Sequence, residues 1–251
     1  MTISVVIPAA GSSTRMGVGK KKEFLPLPSI LFPKEKKTTV LACVIQAFLV
    51  SFENSTEFTL KSIIIAIPQN PDAEKEVRKA IFTSKKINEL LQKMQVELCF
   101  VYGDDTRQKS IFNCLQFLKD NNFEGQVTIH DGARPWVKPE LILSVSKLAK
   151  EKGSGAPIIP CVDTLKVINP KDNSIQEHLE RSKLGAIQTP QAFDFETLYQ
   201  ANLKAIENDF SSTDDTEIWS KFSGKKVFYC DGDVENKKIT YKSDILKVKK
   251  W

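Results

Sequence analysis

With 251 residues, 41% of them hydrophobic and 27% charged, the chain is long enough to bury a proper core as one α/β domain or two small ones, and its composition excludes a disordered or fibrous protein. The 36 basic and 31 acidic residues leave a net charge of +5 in short lysine clusters, with no basic helix interleaved with aromatics; a small anionic substrate accounts for the balance and no nucleic-acid partner is expected. Five widely spaced cysteines, two histidines without neighbouring ligands and the lack of any apolar run suited to a signal peptide or a bilayer span point to a reduced, cytoplasmic protein with no zinc site and no membrane partner.

The run Val5-Val6-Ile7 predicts a buried first strand, and the small residues Ala9, Ala10, Gly11, Ser12 and Ser13 after it let the backbone pass close to a bulky polar group. Free N–H groups in such a loop can cradle phosphate oxygens, and Arg15 with Lys20, Lys21 and Lys22 supplies positive charge beside them. Residues 26–37, with three prolines and four charges, read as an exposed loop. Val40, Leu41, Val44, Ile45, Phe48 and Leu49 recur at helical spacing and predict an amphipathic helix. Residues 62–67 follow as a second strand, 72–93 as a polar helical stretch in one or two pieces, and 96–102 as a third strand.

Residues 103–110 again join a strand to a helix, with Asp105 placed as the N-cap and Ile111, Cys114, Leu115 and Leu118 on the buried face. Ligands of open α/β sheets lie outside the carboxyl ends of the strands, so this turn reads either as a base-recognition loop or as an ordinary capped helix start. A fourth strand, 127–129, delivers His130-Asp131-Gly132-Ala133-Arg134-Pro135. A carboxylate and a guanidinium three residues apart suit a metal-bound anion, with Asp131 toward Mg²⁺ and Arg134 toward phosphate, whereas His130 reads as a packed or hydrogen-bonded core histidine. Pro139 opens the next helix, Gly153 ends it, and 156–160 is a fifth strand.

The strand-helix alternation predicts a mostly parallel sheet covered on both faces, and it breaks after Cys161. Residues 164–168 alternate polar and apolar, 169–173 are turn-formers, and the chain returns through Arg181 to residues 187–191, which reads as a protruding β-arm whose apolar face needs a partner, and hence as a dimer. Helices at 195–207 and 213–222, a strand at 226–229, and a returning Asn236 and Lys238 complete the chain before a short basic tail.

Taken in order, Pro8-Ala9-Ala10-Gly11 with Arg15-Met16-Gly17, Lys22, Thr106-Arg107 with Ser110, residues 130–135, Asp163-Thr164, Thr189-Pro190-Gln191, Thr213-Asp214 and Lys238-Ile239-Thr240 closely resemble the 2-C-methyl-D-erythritol 4-phosphate cytidylyltransferases. The resemblance runs nearly end to end. It implies one Rossmann-like three-layer domain over residues 1–251 with an arm at about 163–188, and transfer of CMP from CTP to methylerythritol phosphate with release of pyrophosphate. A Mg²⁺ requirement and a homodimer whose arm completes the neighbouring site are also implied.

By the same resemblance, Arg15, Lys22 and Lys238 are the catalytic cations. Ala10, Gly11, Ser12, Gly103, Asp105 and Ser110 line the nucleotide. Asp131, Arg134, Thr164, Thr189 and Thr213 face the sugar-alcohol phosphate or its metal, and Arg181 reaches it from the partner's arm. Asn236 is a further residue near the metal. The chain departs from the family pattern at Ser13, Lys21, Glu23, Asp104 and Lys109, so that Lys21 competes with Lys22 for the loop-lysine role. Two alternatives stay open: a ribitol 5-phosphate cytidylyltransferase, and a CTP-binding module without catalysis.

Overall fold

A computed structural model describes residues 1–11, 21–35, 38–241 and 243–244. In chain order the strands are β1 (Thr2–Pro8), β2 (Pro26–Leu27), β3 (Thr38–Thr39), β4 (Thr59–Ile67), β5 (Glu97–Tyr102), β6 (Gln126–Ile129), β7 (Ser154–Pro160), β8 (Lys166–Asn169), β9 (Ser174–His178), β10 (Gly185–Ile187), β11 (Gln191–Asp194) and β12 (Tyr229–Asp231). The helices are α1 (Val40–Glu53), α2 (Ala73–Ile81), α3 (Lys85–Met94), α4 (Arg107–Asp120), α5 (Pro139–Lys152), α6 (Phe195–Glu207) and α7 (Asp215–Ser223).

Eight strands form one mixed sheet in the order β10-β7-β11-β6-β1-β4-β5, with β12 also paired to β7. Strands β6, β1, β4 and β5 are mutually parallel, β11 runs against β6 and β7, and β10 runs against β7. Alternate residues of one strand feed two different layers, as the two-residue period requires. Ile3, Val5 and Ile7 pack with α1, α2, α3 and α5, whereas Val6 packs with α4, α6 and α7. The expected three-layer α/β architecture is thus present.

The helix α1 differs from its amphipathic expectation. Residues 40–49 are buried all round, because α2, α3 and α5 pack against it on the sheet. Full enclosure strands one polar side chain, Gln46, which must find internal partners. Ser29 Oγ donates to Gln46 Oε1 at 2.6 Å, and Gln46 Nε2 donates to Glu35 Oε2 at 2.7 Å and to Ser84 Oγ at 2.8 Å. This network, with the β2–β3 pairing, pins down the segment read as an exposed loop, and Leu27 and Ser29 are buried rather than solvated.

Two local boundaries also shift. Thr106, not Asp105, caps α4, its hydroxyl accepting from Lys109 N at 3.1 Å, while the exposed Asp105 carboxylate pairs with Lys109. The last strand lies at Tyr229–Asp231 rather than 226–229, where it pairs in parallel with β7. Within the segment read as an arm lies the antiparallel β8–β9 hairpin, whose apolar residues Ile168 and Ile175 face each other across the strands at 63% and 55% exposure. Among the described residues no helix is long and apolar enough to cross a membrane.

Candidate active site

Three loops follow the carboxyl ends of parallel strands: residues 9–11 after β1, 103–106 after β5 and 130–135 after β6. Parallel strands set side by side bring such loops to one edge of the sheet, where ligands of this architecture bind.

The side formed by residues 9–11 and 103–110 is built by close approach. A side chain at Gly103 would place its Cβ 2.4 Å from Ala10 Cβ and 2.8 Å from Ser110 Oγ, so only glycine lets the two loops meet. Ser110 Oγ accepts from Asp104 N at 2.9 Å and lies 2.8 Å from Thr106 O, and Gln69 Nε2 donates to Gly103 O at 2.8 Å. Asp104 is not among the residues with positive φ, so this departure from the family pattern puts no strain on the backbone there. Gly11 has open space where a Cβ would stand. Ser12 and Arg15 lie outside the described residues.

The charged cluster centres on Asp131. Its Oδ2 lies 2.9 Å from Lys238 Nζ and 3.2 Å from Arg134 Nε, and its Oδ1 lies 3.3 Å from Arg107 Nε. Burial alone would raise this carboxyl, but Arg107, Lys238 and Arg134 outweigh it and hold the group far below the usual carboxylate range. Arg107 also donates from Nη1 to Asp215 Oδ2 at 2.7 Å. Burial pushes the Asp215 carboxyl up, against the lowering pull of Arg107.

Beneath Asp131 the fully buried His130 is fixed as a neutral ring. Its Nε2 faces the Arg134 carbonyl at 3.1 Å, which can only accept, so this nitrogen carries the proton. Nδ1 then accepts from Thr189 Oγ1 at 3.1 Å, and Thr189 Oγ1 in turn accepts from Asp131 N at 3.1 Å. Burial accordingly lowers the ring to about 4. His130 therefore supports the Asp131 loop, in keeping with its reading as a hydrogen-bonded core residue.

The C-terminal segment is tied into the same place. Arg134 Nη1 donates to Asn236 O at 2.8 Å, Asn236 Nδ2 donates to Thr189 O at 2.8 Å, and Ile239 N donates to Ala133 O at 2.8 Å. Lys22 Nζ donates to Ile239 O at 3.2 Å, while Lys21 Nζ donates to Ala9 O and Ala10 O at 3.3 and 3.1 Å. The two loop lysines thus separate: Lys21 holds the strand-end backbone and Lys22 binds the C-terminal segment. A cavity of about 910 Å³ borders Arg134, Asn236 and Lys238 and is walled by Trp136, Ile159 and Ile187.

The chain therefore brings together Asp131, Arg134, Thr189, Asn236 and Lys238, with Lys22 on the adjoining Ile239 carbonyl and Gly103 packed against Ala10 and Ser110. Thr164 and Thr213 are exposed, and Arg181 donates to the Val162 carbonyl at the root of its own arm at 3.2 Å. Sequence reasoning assigned no role to Arg107 and overlooked Asp215; their only signals were the Thr106-Arg107 pair and the residue following Thr213-Asp214. Among the described residues no three His, Cys, Asp or Glu side chains converge to hold a metal ion. The described residues therefore do not form an all-protein cage for a divalent cation, and both oxygens of Asp131 are engaged by Arg107, Arg134 and Lys238.

The family model described as 2-C-methyl-D-erythritol 4-phosphate cytidylyltransferase matches residues 3–250. The chain belongs to this family. It is a cytidylyltransferase, and its relatives of that name include the Bacillus cytotoxicus protein, 32% identical over 246 residues that span 97% of this chain and 94% of the relative. The Clostridioides difficile cytidylyltransferase is 34% identical, with 96% and 90% of the two chains covered. Among solved structures, the 4-diphosphocytidyl-2C-methyl-D-erythritol synthase of Anaerococcus prevotii superimposes with a TM-score of 0.72 at 28% identity, covering 98% of this chain and 95% of its own. The Thermus thermophilus cytidylyltransferase shares the fold, with a TM-score of 0.72 at 24% identity and coverage of 100% and 98%.

Proposed function

We propose that this chain transfers CMP from CTP to 2-C-methyl-D-erythritol 4-phosphate, giving 4-diphosphocytidyl-2-C-methyl-D-erythritol and pyrophosphate in the non-mevalonate route to isoprenoids. The observation that carries this reading is the convergence of Arg134 and Lys238 on Asp131, with Lys22 bonded to Ile239 in the segment that the same loop holds, beside the glycine-dependent loop at residues 103–110, in a chain matched over residues 3–250 by the family.

The nucleophile is already a phosphate oxygen anion, so no strong base is needed and a neutral His130 is no handicap. Catalysis reduces to aligning two polyanions in line and offsetting their repulsion and the charge that builds at the α-phosphate. Arg15 and Lys22 hold the triphosphate, and Lys238 joins them from the C-terminal segment. Ala10, Gly11, Ser12, Gly103, Asp105 and Ser110 line the nucleotide, the last three around cytosine. Asp131, Arg134, Thr164, Thr189 and Thr213 face the acceptor phosphate. Asp131, with Asn236 as the weaker candidate, would be the residue to hold a Mg²⁺, which when bound would supply further neutralisation of phosphate charge.

Residues 1–251 act as one nucleotidyltransferase domain. The arm at about 163–188 pairs two copies, and Arg181 reaches the acceptor phosphate of the opposite site. The enzyme works in the cytoplasm. The test is pyrophosphate release by the purified protein with CTP and Mg²⁺, comparing methylerythritol phosphate with ribitol 5-phosphate. Faster release with methylerythritol phosphate supports the assignment, preference for ribitol 5-phosphate moves the acceptor, and CTP binding without release under either condition leaves a binding module.

A further inference from the structure

Arg107 has been given no part in the reaction, yet it joins three pieces of the site. It is the first residue of α4, directly after the Thr106 cap, in the same helical turn whose Ser110 holds the backbone of the base loop at Asp104. Its Nε lies 3.3 Å from Asp131 Oδ1 and its Nη1 lies 2.7 Å from Asp215 Oδ2. The next residue, Gln108, is bonded to the segment before α7, donating to Phe210 O at 3.0 Å and accepting from Ser212 N at 2.8 Å. The start of α4 is therefore tied to the base loop, to the acceptor-side carboxylate and to the approach to α7.

We propose that Arg107 is a positioning residue that sets Asp131 relative to the nucleotide loop, with the buried Asp215 carboxylate holding the guanidinium fork in place. The proposal rests on the cytidylyltransferase reading given above. A planar fork can bridge two carboxylates in fixed directions, which a lysine ammonium cannot. The Asp215 side chain is only 1% exposed, so its second role, as a partner the fork cannot leave without orphaning a buried charge, locks the bridge. The bridge also bears on charge. Asp131 Oδ2 is already held by Arg134 and Lys238, the cations offered to substrate phosphate. With Arg107 on Oδ1, the carboxylate is neutralised from its far side and competes less for those two cations. Without it, Asp131 draws Lys238 and Arg134 more strongly and loses its fixed orientation.

The test compares the full-length parent enzyme with Arg107→Lys and with the double variant Arg107→Gln/Asp215→Asn. The double variant removes the cation and its buried partner together, so no unpaired charge is left inside the fold and the local net charge is unchanged. Steady-state turnover is measured with CTP, Mg²⁺ and methylerythritol phosphate, with thermal melting alongside. The proposal predicts a kcat about tenfold lower for Arg107→Lys and about a hundredfold lower for the double variant, the size of loss expected from misplacing a reacting group, with both KM values within about threefold of the parent. A merely structural role would lower the melting temperature and the active fraction while sparing kcat per active site. Both variants within threefold of the parent kcat, or changes confined to KM, overturn the proposal while the functional reading stands. A parent that shows no turnover overturns the functional reading and this proposal with it.

Discussion

Lys22 and Ile239, 217 residues apart in the chain, meet where the Lys22 ammonium donates to the Ile239 carbonyl at 3.2 Å. The contact ties the loop lysine to the C-terminal segment and gives it different surroundings from Lys21, whose ammonium is held by the Ala9 and Ala10 carbonyls and whose pKa is lowered by burial against the opposing pull of Glu23 and Glu76.

This difference predicts which lysine turns over substrate. Lys22→Ala, Lys238→Ala and Arg15→Ala should each lose kcat by roughly a hundredfold or more while remaining folded, as expected for removal of one preorganised charge donor. Lys21→Ala should lower thermal stability and affect kcat by less than tenfold. Equal losses in Lys21→Ala and Lys22→Ala would remove the distinction.

The contact of Gly103 with Ala10 predicts a nucleotide-specific defect. Gly103→Ala puts a methyl group 2.4 Å from Ala10 Cβ and 2.8 Å from Ser110 Oγ, so the two loops must part. Calorimetric titration should show CTP affinity falling about tenfold or more, with acceptor affinity changed far less. Unchanged CTP binding would mean that the base does not sit between these loops.

His130 predicts how stability depends on pH. Its folded-state value is depressed to about 4 by burial, against about 6.5 in an unfolded chain. In that window the unfolded chain takes up a proton that the native ring refuses, so the stabilisation is fully present above about pH 6.5 and declines on acidification. About 3 kcal/mol is lost by pH 4 from this group alone. Denaturant titrations from pH 4.5 to 7.5, without metal or nucleotide, should show this slope in the parent and its loss in His130→Gln; identical slopes would contradict it.

The arm predicts an assembly and a shared site. Ile168 and Ile175 are opposed across the hairpin and both exposed, so Ile168→Lys/Ile175→Lys should give a monomer by sedimentation and lose turnover. Mixing Arg181→Ala with Lys22→Ala should restore about a quarter of parental activity, since half of the sites in mixed dimers then hold Lys22 with Arg181 of the partner subunit. Failure to complement, or a fully active monomer, would refute the trans role.

The legible parts of the site were those written in contiguous residues. Residues 103–110 and 130–135 each follow a strand, and their glycines and charges sit in one loop, so order along the chain was enough. The Arg107–Asp215 bridge spans 108 positions and no local pattern announces it. The same holds for Gln46, whose meaning depends on Ser29, Glu35 and Ser84 arriving from separate segments. The cap of α4 was misplaced by one residue because Asp105 and Thr106 are both good caps, and only the extended backbone of Thr106 decides between them. Periodicity placed α1 but not its surroundings, since the number of elements packed on a helix is a tertiary fact.

In the proposed reaction a cytidylyl group passes from CTP to a phosphate oxygen of the acceptor. The most direct test follows two labels through one reaction with methylerythritol phosphate and Mg²⁺: CTP carrying phosphorus-32 at the α position, and CTP carrying it at the γ position. The α label should appear in the cytidine diphosphate alcohol and the γ label should leave in pyrophosphate. An α label that stays in CTP or appears as free CMP, with no labelled alcohol, would contradict it.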